Sequence, residues 1–281
     1  LTQIVTILGT IITRSHPCQQ DLGDEEGEQE VEGTSEYDWL IVDTALDVVI
    51  GLAAALGPAF GELWKVFEKP ILKFASSQEN LERSTGVGVI AEVTAHMGAA
   101  CTPYTSKTLA ILLKRLSDTD METKSNAAYA IGQLVSNSTD KATYIPQFPT
   151  ILSKLEAMLH LEGARIKDNA AGCLARMIMA HPENVPIPHV LPALINLLPL
   201  KEDFEENAPI FECIYKLYDS NDATVQQLTP QIIPIFETVL APPEEQLADE
   251  TRQLVKQAVR VLHGAHPELF NGHEAVLKYA A

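Results

Sequence analysis

An all-α fold of stacked helical hairpins is predicted by three features of this 281-residue chain. The stretch from Glu122 to Ser138 places Ala127, Ile131, Leu134 and Val135 at i, i+4, i+7 and i+8, one apolar stripe down an α-helix. The same stripe recurs at Ala45/Val49/Leu52/Ala53, Ile90/Val93, Ala170/Leu174/Met177/Ile178, Ile210/Ile214/Leu217/Tyr218 and Leu254/Ala258/Val261/Leu262. Strand-like alternation is nearly absent, while Ala and Leu are plentiful.

The copies stand roughly 40 residues apart, the period at which HEAT and armadillo units repeat. A unit of that length holds two helices, and neither can bury its stripe alone. About six hairpins must therefore stack into one α-α superhelix, a HEAT-repeat solenoid with a continuous core. Its function is expected on the faces and not in a pocket.

Taken in order, residues 1–14 read as a truncated helix of a preceding repeat, and the start inside an apolar run without an initiator Met suggests a piece of a longer protein. Residues 15–38 read as a flexible acidic loop, because Gln19 to Asp38 is rich in carboxylates, has three glycines and holds no Lys or Arg. Residues 39–281 make the solenoid. Pro58, Pro103, Pro146, Pro188 and Pro230 stand near the starts of the first helices of the hairpins, where a missing N–H costs little. Those helices are expected at Phe60–Ser76, Pro103–Ser117, Ile145–Leu159, Ile187–Leu197 and Leu228–Leu240. Pro192, Pro199, Pro234, Pro242 and Pro243 predict kinks or short helices, and His266–Ala281 reads as one last helix that caps the array.

Composition narrows the function. The formal charge of −18 argues against nucleic acid and for basic partners. The four cysteines are scattered with no C-x-x-C pair, which fits a reducing compartment. Leu40–Leu56 comes nearest to a membrane span, but Asp43 and Asp47 in its middle argue against one. His263/His266 and His16/Cys18 lack further ligands for a metal. Phosphate-loop, H-E-x-x-H and G-x-S-x-G patterns are absent. No enzyme, cofactor or metal is expected.

The helix turn of about 100° per residue sets which side chains point away from the stripe. Across the copies these are Glu92, then Glu122, Asn126 and Tyr129, then Asp168 and Asn169, then Glu205 and Glu212 with Glu206 beside them. Asp43, Asp47 and Asp249 are secondary acidic candidates. If these helices line the concave side, the carboxylates can take lysine ammonium groups and the amides can pair with a peptide backbone. A plain solvated face is the competing reading.

Arg14–Asp21 (R-S-H-P-C-Q-Q-D), the acidic insert ending in Y-D-W at Tyr37–Trp39, and Lys124–Gly132 (K-S-N-A-A-Y-A-I-G) resemble the importin-β (karyopherin-β) nuclear transport receptors, within them the C-terminal HEAT repeats of the importin-4-like branch. The resemblance implies a cargo-binding arch of a receptor that shuttles between cytoplasm and nucleus. Implied partners are core histones and ribosomal proteins, bound by a monomer through lysine-rich localisation segments, with Asn126, Asn169, Glu205 and Glu206 in contact. Nucleoporins are further partners, and Ran-GTP is expected mainly on N-terminal repeats outside this stretch. Pro209 departs from the amides at Asn126, Asn169 and Gln253, which implies a bend or break in the peptide track. Two alternatives stand beside this reading: a HEAT scaffold for a multiprotein complex, and a histone chaperone-like shield formed by the acidic loop.

Overall fold

The computed structural model describes residues 1–19, 32–242 and 246–281. Among them every regular element is helical. The chain falls into two compact units, Leu1–Ala130 with Asn137–Tyr144, and Ile131–Ser136 with Ile145–Ala281.

The first unit opens with α1 (Thr2–Ile12) and a 3-10 turn at Pro17–Gln19. It continues through α2 (Glu32–Leu56), α3 (Gly61–Phe74), α4 (Asn80–Met97) and α5 (Thr105–Arg115), the first part of α6 (Met121–Asn137), and the short α7 (Lys141–Tyr144). The acidic loop expected at 15–38 is shorter than that span, since α2 already begins at Glu32. Its centre, 20–31, lies outside the described residues. The α2 stripe of Val42, Ala45, Leu46, Val49 and Ala53 is buried, and the helix packs on α1 and α4. The stretch Asp38–Phe74 is long and apolar enough to cross a membrane by length and composition alone. Asp43 and Asp47 would be costly in hydrocarbon, and one face of α2 is packed, while Leu40 and Val48 on the other are exposed.

In α4, Gly86 is the point of closest approach. A Cβ there would lie 2.5 Å from the Ala75 backbone nitrogen, so only glycine lets α4 rest on the end of α3. Phe60, Trp64, Phe67, Ile71 and Phe74 fill the space beneath, with the Phe60 and Phe67 rings stacked at 6.1 Å.

The second unit holds α8 (Phe148–Leu159), α9 (Ala164–Ala180), α10 (Ile187–Ile195), α11 (Asn207–Asp219), α12 (Ala223–Leu240), α13 (Asp249–Ala265) and α14 (Glu274–Ala280). Each expected first helix is present, with one shifted start. Asp222 accepts hydrogen bonds from the Thr224 and Val225 N–H groups, a strong N-cap that starts α12 at Ala223 instead of Leu228. Pro230 and Pro234 therefore lie inside α12, and α10 is nine residues long with Pro192 inside it.

Three further expectations change. The last helix is split into a 3-10 turn at Pro267–Phe270 and α14, separated by Gly272 at φ +85°. The buried face of α13 is Val255, Ala258, Val259 and Leu262, with Val261 61% exposed and Leu254 only half-buried. That face is rotated by about one residue from the predicted stripe, because α13 packs on α11, α12 and α14 together. Finally, α9 is buried from Asp168 to Ile178 without a break, so it is an interior helix and not a half-exposed one.

Candidate binding surface

The first turns of the second helices hold the loops that follow. Arg83 of α4 donates to both oxygens of Asp118, Nε to Oδ2 at 2.9 Å and Nη2 to Oδ1 at 2.8 Å, and Arg115 adds a third contact. Burial pushes the Asp118 carboxyl up, but hydrogen bonds from Arg83, the Asp120 N–H and Arg115 outweigh it and hold the group at about 2. In the second unit Asp168 Oδ2 accepts the backbone N–H groups of Lys201, Glu202 and Asp203 at 3.2, 2.8 and 3.0 Å. The Asn207 amide donates to the Gln246 carbonyl at 2.9 Å in the same manner.

These contacts correct four of the predicted outward-facing residues. Asp168, Asn169 and Glu206 are each only 2% exposed. Asn169 donates its amide to Asp203 Oδ2 at 3.2 Å. Glu206 lies against Arg176, which grips both its oxygens, Nη1 on Oε2 and Nη2 on Oε1. Burial raises the Glu206 carboxyl, while Arg176 pulls it down. Asn126 is half-buried and donates to the Ser84 carbonyl of α4 at 3.1 Å. The rule that polar residues opposite a stripe meet water fails here because α9 has neighbours on nearly every side.

The remaining candidates do reach the surface. Glu122, Glu205, Glu212, Asp47 and Asp249 are exposed, and Asp43, Glu92 and Tyr129 are half-buried. Glu122 and Tyr129 share a face of α6, and Asp43 and Asp47 share a face of α2, by their spacings. Burial and the neighbouring Asp47 charge push the Asp43 carboxyl up, and a hydrogen bond from Thr85 opposes them. Glu205, Glu212 and Asp219 are all exposed; Glu212 and Asp219, seven residues apart, share a face of α11, and Glu205 stands in the 3-10 turn that leads into it. Asp219 was missed in the sequence although its spacing from Glu212 could have found it. Glu212 is paired with Lys216 at 2.7 Å, an exposed contact that a stronger ligand can replace. Among the described residues no three His, Cys, Asp or Glu side chains are grouped to hold a metal.

No protein-family profile matches the chain. The relatives are more informative. The chain is 38% identical over 233 residues to the probable importin subunit beta-4 of Schizosaccharomyces pombe, and 34% identical over 274 residues to importin-4 of Homo sapiens. These alignments cover 83% and 96% of the chain. The sequence is importin-4-like, of the importin-β family. It spans 22% and 25% of those two relatives, about a quarter of their length.

Importin-4 of Mus musculus is 29% identical over 274 residues. Solved structures agree in fold. Kap121p bound to Pho4p matches 95% of the chain and 30% of its own length at TM-score 0.56 and 15% identity. Kap95 in its Nup1 complex matches all of this importin-4-like chain and 35% of its own length at TM-score 0.56 and 14% identity. The fold is thus an all-α HEAT-type solenoid, and the sequence relatives are importins and not enzymes.

Proposed function

We propose that this importin-4-like chain is a cargo-binding part of a nuclear import receptor that moves between cytoplasm and nucleus. The observation that carries the proposal is the sequence relation to importin-4 over nearly the whole chain. The excess of 38 acidic over 20 basic residues supports basic cargo, with core histones and ribosomal proteins as the class. Structural neighbours solved with Pho4p and with Nup1 are in keeping with cargo and nucleoporins as partners. Ran-GTP is assigned to repeats of the receptor outside this stretch.

The carboxylates proposed to meet cargo lysines are Glu205 and Glu212 in the second unit, joined by Asp219. In the first unit they are Glu122 and Glu92, with Tyr129 as a stacking surface and Asp43 and Asp47 as secondary sites. Asp249 is secondary in the second unit. Asp168, Asn169, Glu206 and Asn126 are assigned instead to holding the repeats together. Each exposed ion pair contributes about 0–1 kcal/mol, so affinity must be a sum over several.

The test is a fluorescence titration of a lysine-rich histone-tail peptide and its lysine-acetylated form. Affinity for the first should fall at least about tenfold between roughly 0.05 and 0.5 M salt, and the acetylated form should bind weakly at both. Equal binding of the two peptides would sink the charge mechanism.

A further inference from the structure

A basic-rimmed cavity stands out from the acidic surface of the first unit. It measures about 650 Å³ and opens where the end of α1 meets the turn from α3 to α4. Its floor is apolar, made by Ile12, Pro70 and Phe74, and Arg14, Lys69 and Lys73 stand around it with Glu82 as the acid in the lining.

Arg14 is fixed in place. It is at φ +56°, donates to Asp38 at 2.7 Å and to Glu82 at 2.6 Å, and lies 5.7 Å from the Phe74 ring centre. Ser77 holds the other oxygen of Glu82 at 2.6 Å. The Glu82 charge is therefore already matched. Lys69 and Lys73 are exposed, sit one turn apart on α3, and have no ion pair among the described residues. Lys73 lies in the last turn of α3, where a cation also suits the helix dipole. Lys69 lies a turn earlier and has no such role.

We propose that this cavity binds an acidic peptide segment that carries a bulky apolar side chain. The carboxylates pair with Lys69 and Lys73, and the apolar group packs on Pro70 and the aliphatic stems of the two lysines, above Phe74 and Ile12, which are 5% and 2% exposed. Charge complementarity favours this occupant, since the sign of the rim is opposite to that of the rest of the chain. The surface is separate from the acidic residues proposed for cargo, and a lysine-rich peptide should not use it.

The probe is a labelled peptide of alternating Glu and Leu, compared with oligo-glutamate of equal charge. Binding is read by anisotropy and by tryptophan emission in a Trp64→Phe background, which leaves Trp39, whose ring meets Phe74 edge-on at 5.5 Å, as the one emitter. The intact chain should bind the Glu/Leu peptide at least about tenfold more tightly than the Lys69→Glu/Lys73→Glu variant, and at least about fivefold more tightly than it binds oligo-glutamate. A Lys69→Gln/Lys73→Gln variant, with an unchanged circular dichroism spectrum, should fall between. Absence of binding by the intact chain, equal binding by the charge-reversed variant, or equal binding of oligo-glutamate would each overturn the proposal.

Discussion

Arg176 closes on Glu206 through the space that Gly172 leaves empty. A Cβ on Gly172 would fall on the Glu206 carboxylate, and one on Gly132 would come within 3.1 Å of the Arg176 Cδ. The pair is buried, with side chains 10% and 3% exposed. It couples α9 to the turn that starts α11, inside the second unit.

Gly172→Ala should therefore destabilise the second unit by about 3 kcal/mol, because the new methyl group displaces one partner of a buried ion pair. Urea unfolding would measure it. In the double variant with Glu206→Ala the carboxylate is gone, and only the end of the Arg176 side chain, whose Nη1 lies 2.9 Å from the new Cβ, has to shift. The double variant should then be no less stable than Glu206→Ala alone, to within about 0.5 kcal/mol.

Asp168→Ala removes one acceptor from three backbone N–H groups at once. The expected loss is about 2–4 kcal/mol, and about half that for Asp168→Asn, which keeps an acceptor oxygen. Hydrogen exchange gives a local check: the amides of Lys201, Glu202 and Asp203 should lose protection together. If only the global stability changed, with no selective loss in that loop, the assignment would be wrong.

Asp118 sets an acid limit on the first unit. Its native value of about 2 lies below the ordinary 3.8, so the unfolded chain binds the proton more readily. The stabilisation is fully present above pH 4 or so and is lost as pH falls toward about 2. Asp118→Asn should lower stability at neutral pH and flatten this acid dependence, as followed by circular dichroism across that range.

Thiol chemistry should separate one cysteine from the rest. Cys101, Cys173 and Cys213 are buried, and burial pushes their thiols up to about 11, 12 and 12, whereas Cys18 is exposed. Brief iodoacetamide treatment of the native chain should label Cys18 alone, and in denaturant all four should react. Early labelling of Cys173 in native buffer would contradict the packing of α9.

Much of the fold was legible because a recurring stripe such as Ala127/Ile131/Leu134/Val135 is a demand for burial that only stacking meets. The site was less so. A single-helix argument treats every polar residue opposite a stripe as solvated, and it sent Asp168, Asn169 and Glu206 to the wrong environment. The corrective signals were present in the residues themselves. Arg176 interrupts the apolar run C-L-A-R-M-I-M, and Gly132 and Gly172 sit in the middle of long helices, where small residues permit close approach. What could not be read was that the partner of Arg176 lies 30 residues on, in a turn with no helical periodicity.

The central claim is that exposed acids, and not the buried ones, meet the cargo. It is tested most directly by titrating a lysine-rich histone-tail peptide against the intact chain, Glu205→Lys/Glu212→Lys and Glu206→Gln, with circular dichroism to monitor folding. The account predicts that the exposed pair of reversals weakens binding at least about tenfold with the fold intact, while Glu206→Gln changes stability and leaves the affinity of the folded fraction unchanged. Undiminished binding by Glu205→Lys/Glu212→Lys would contradict it.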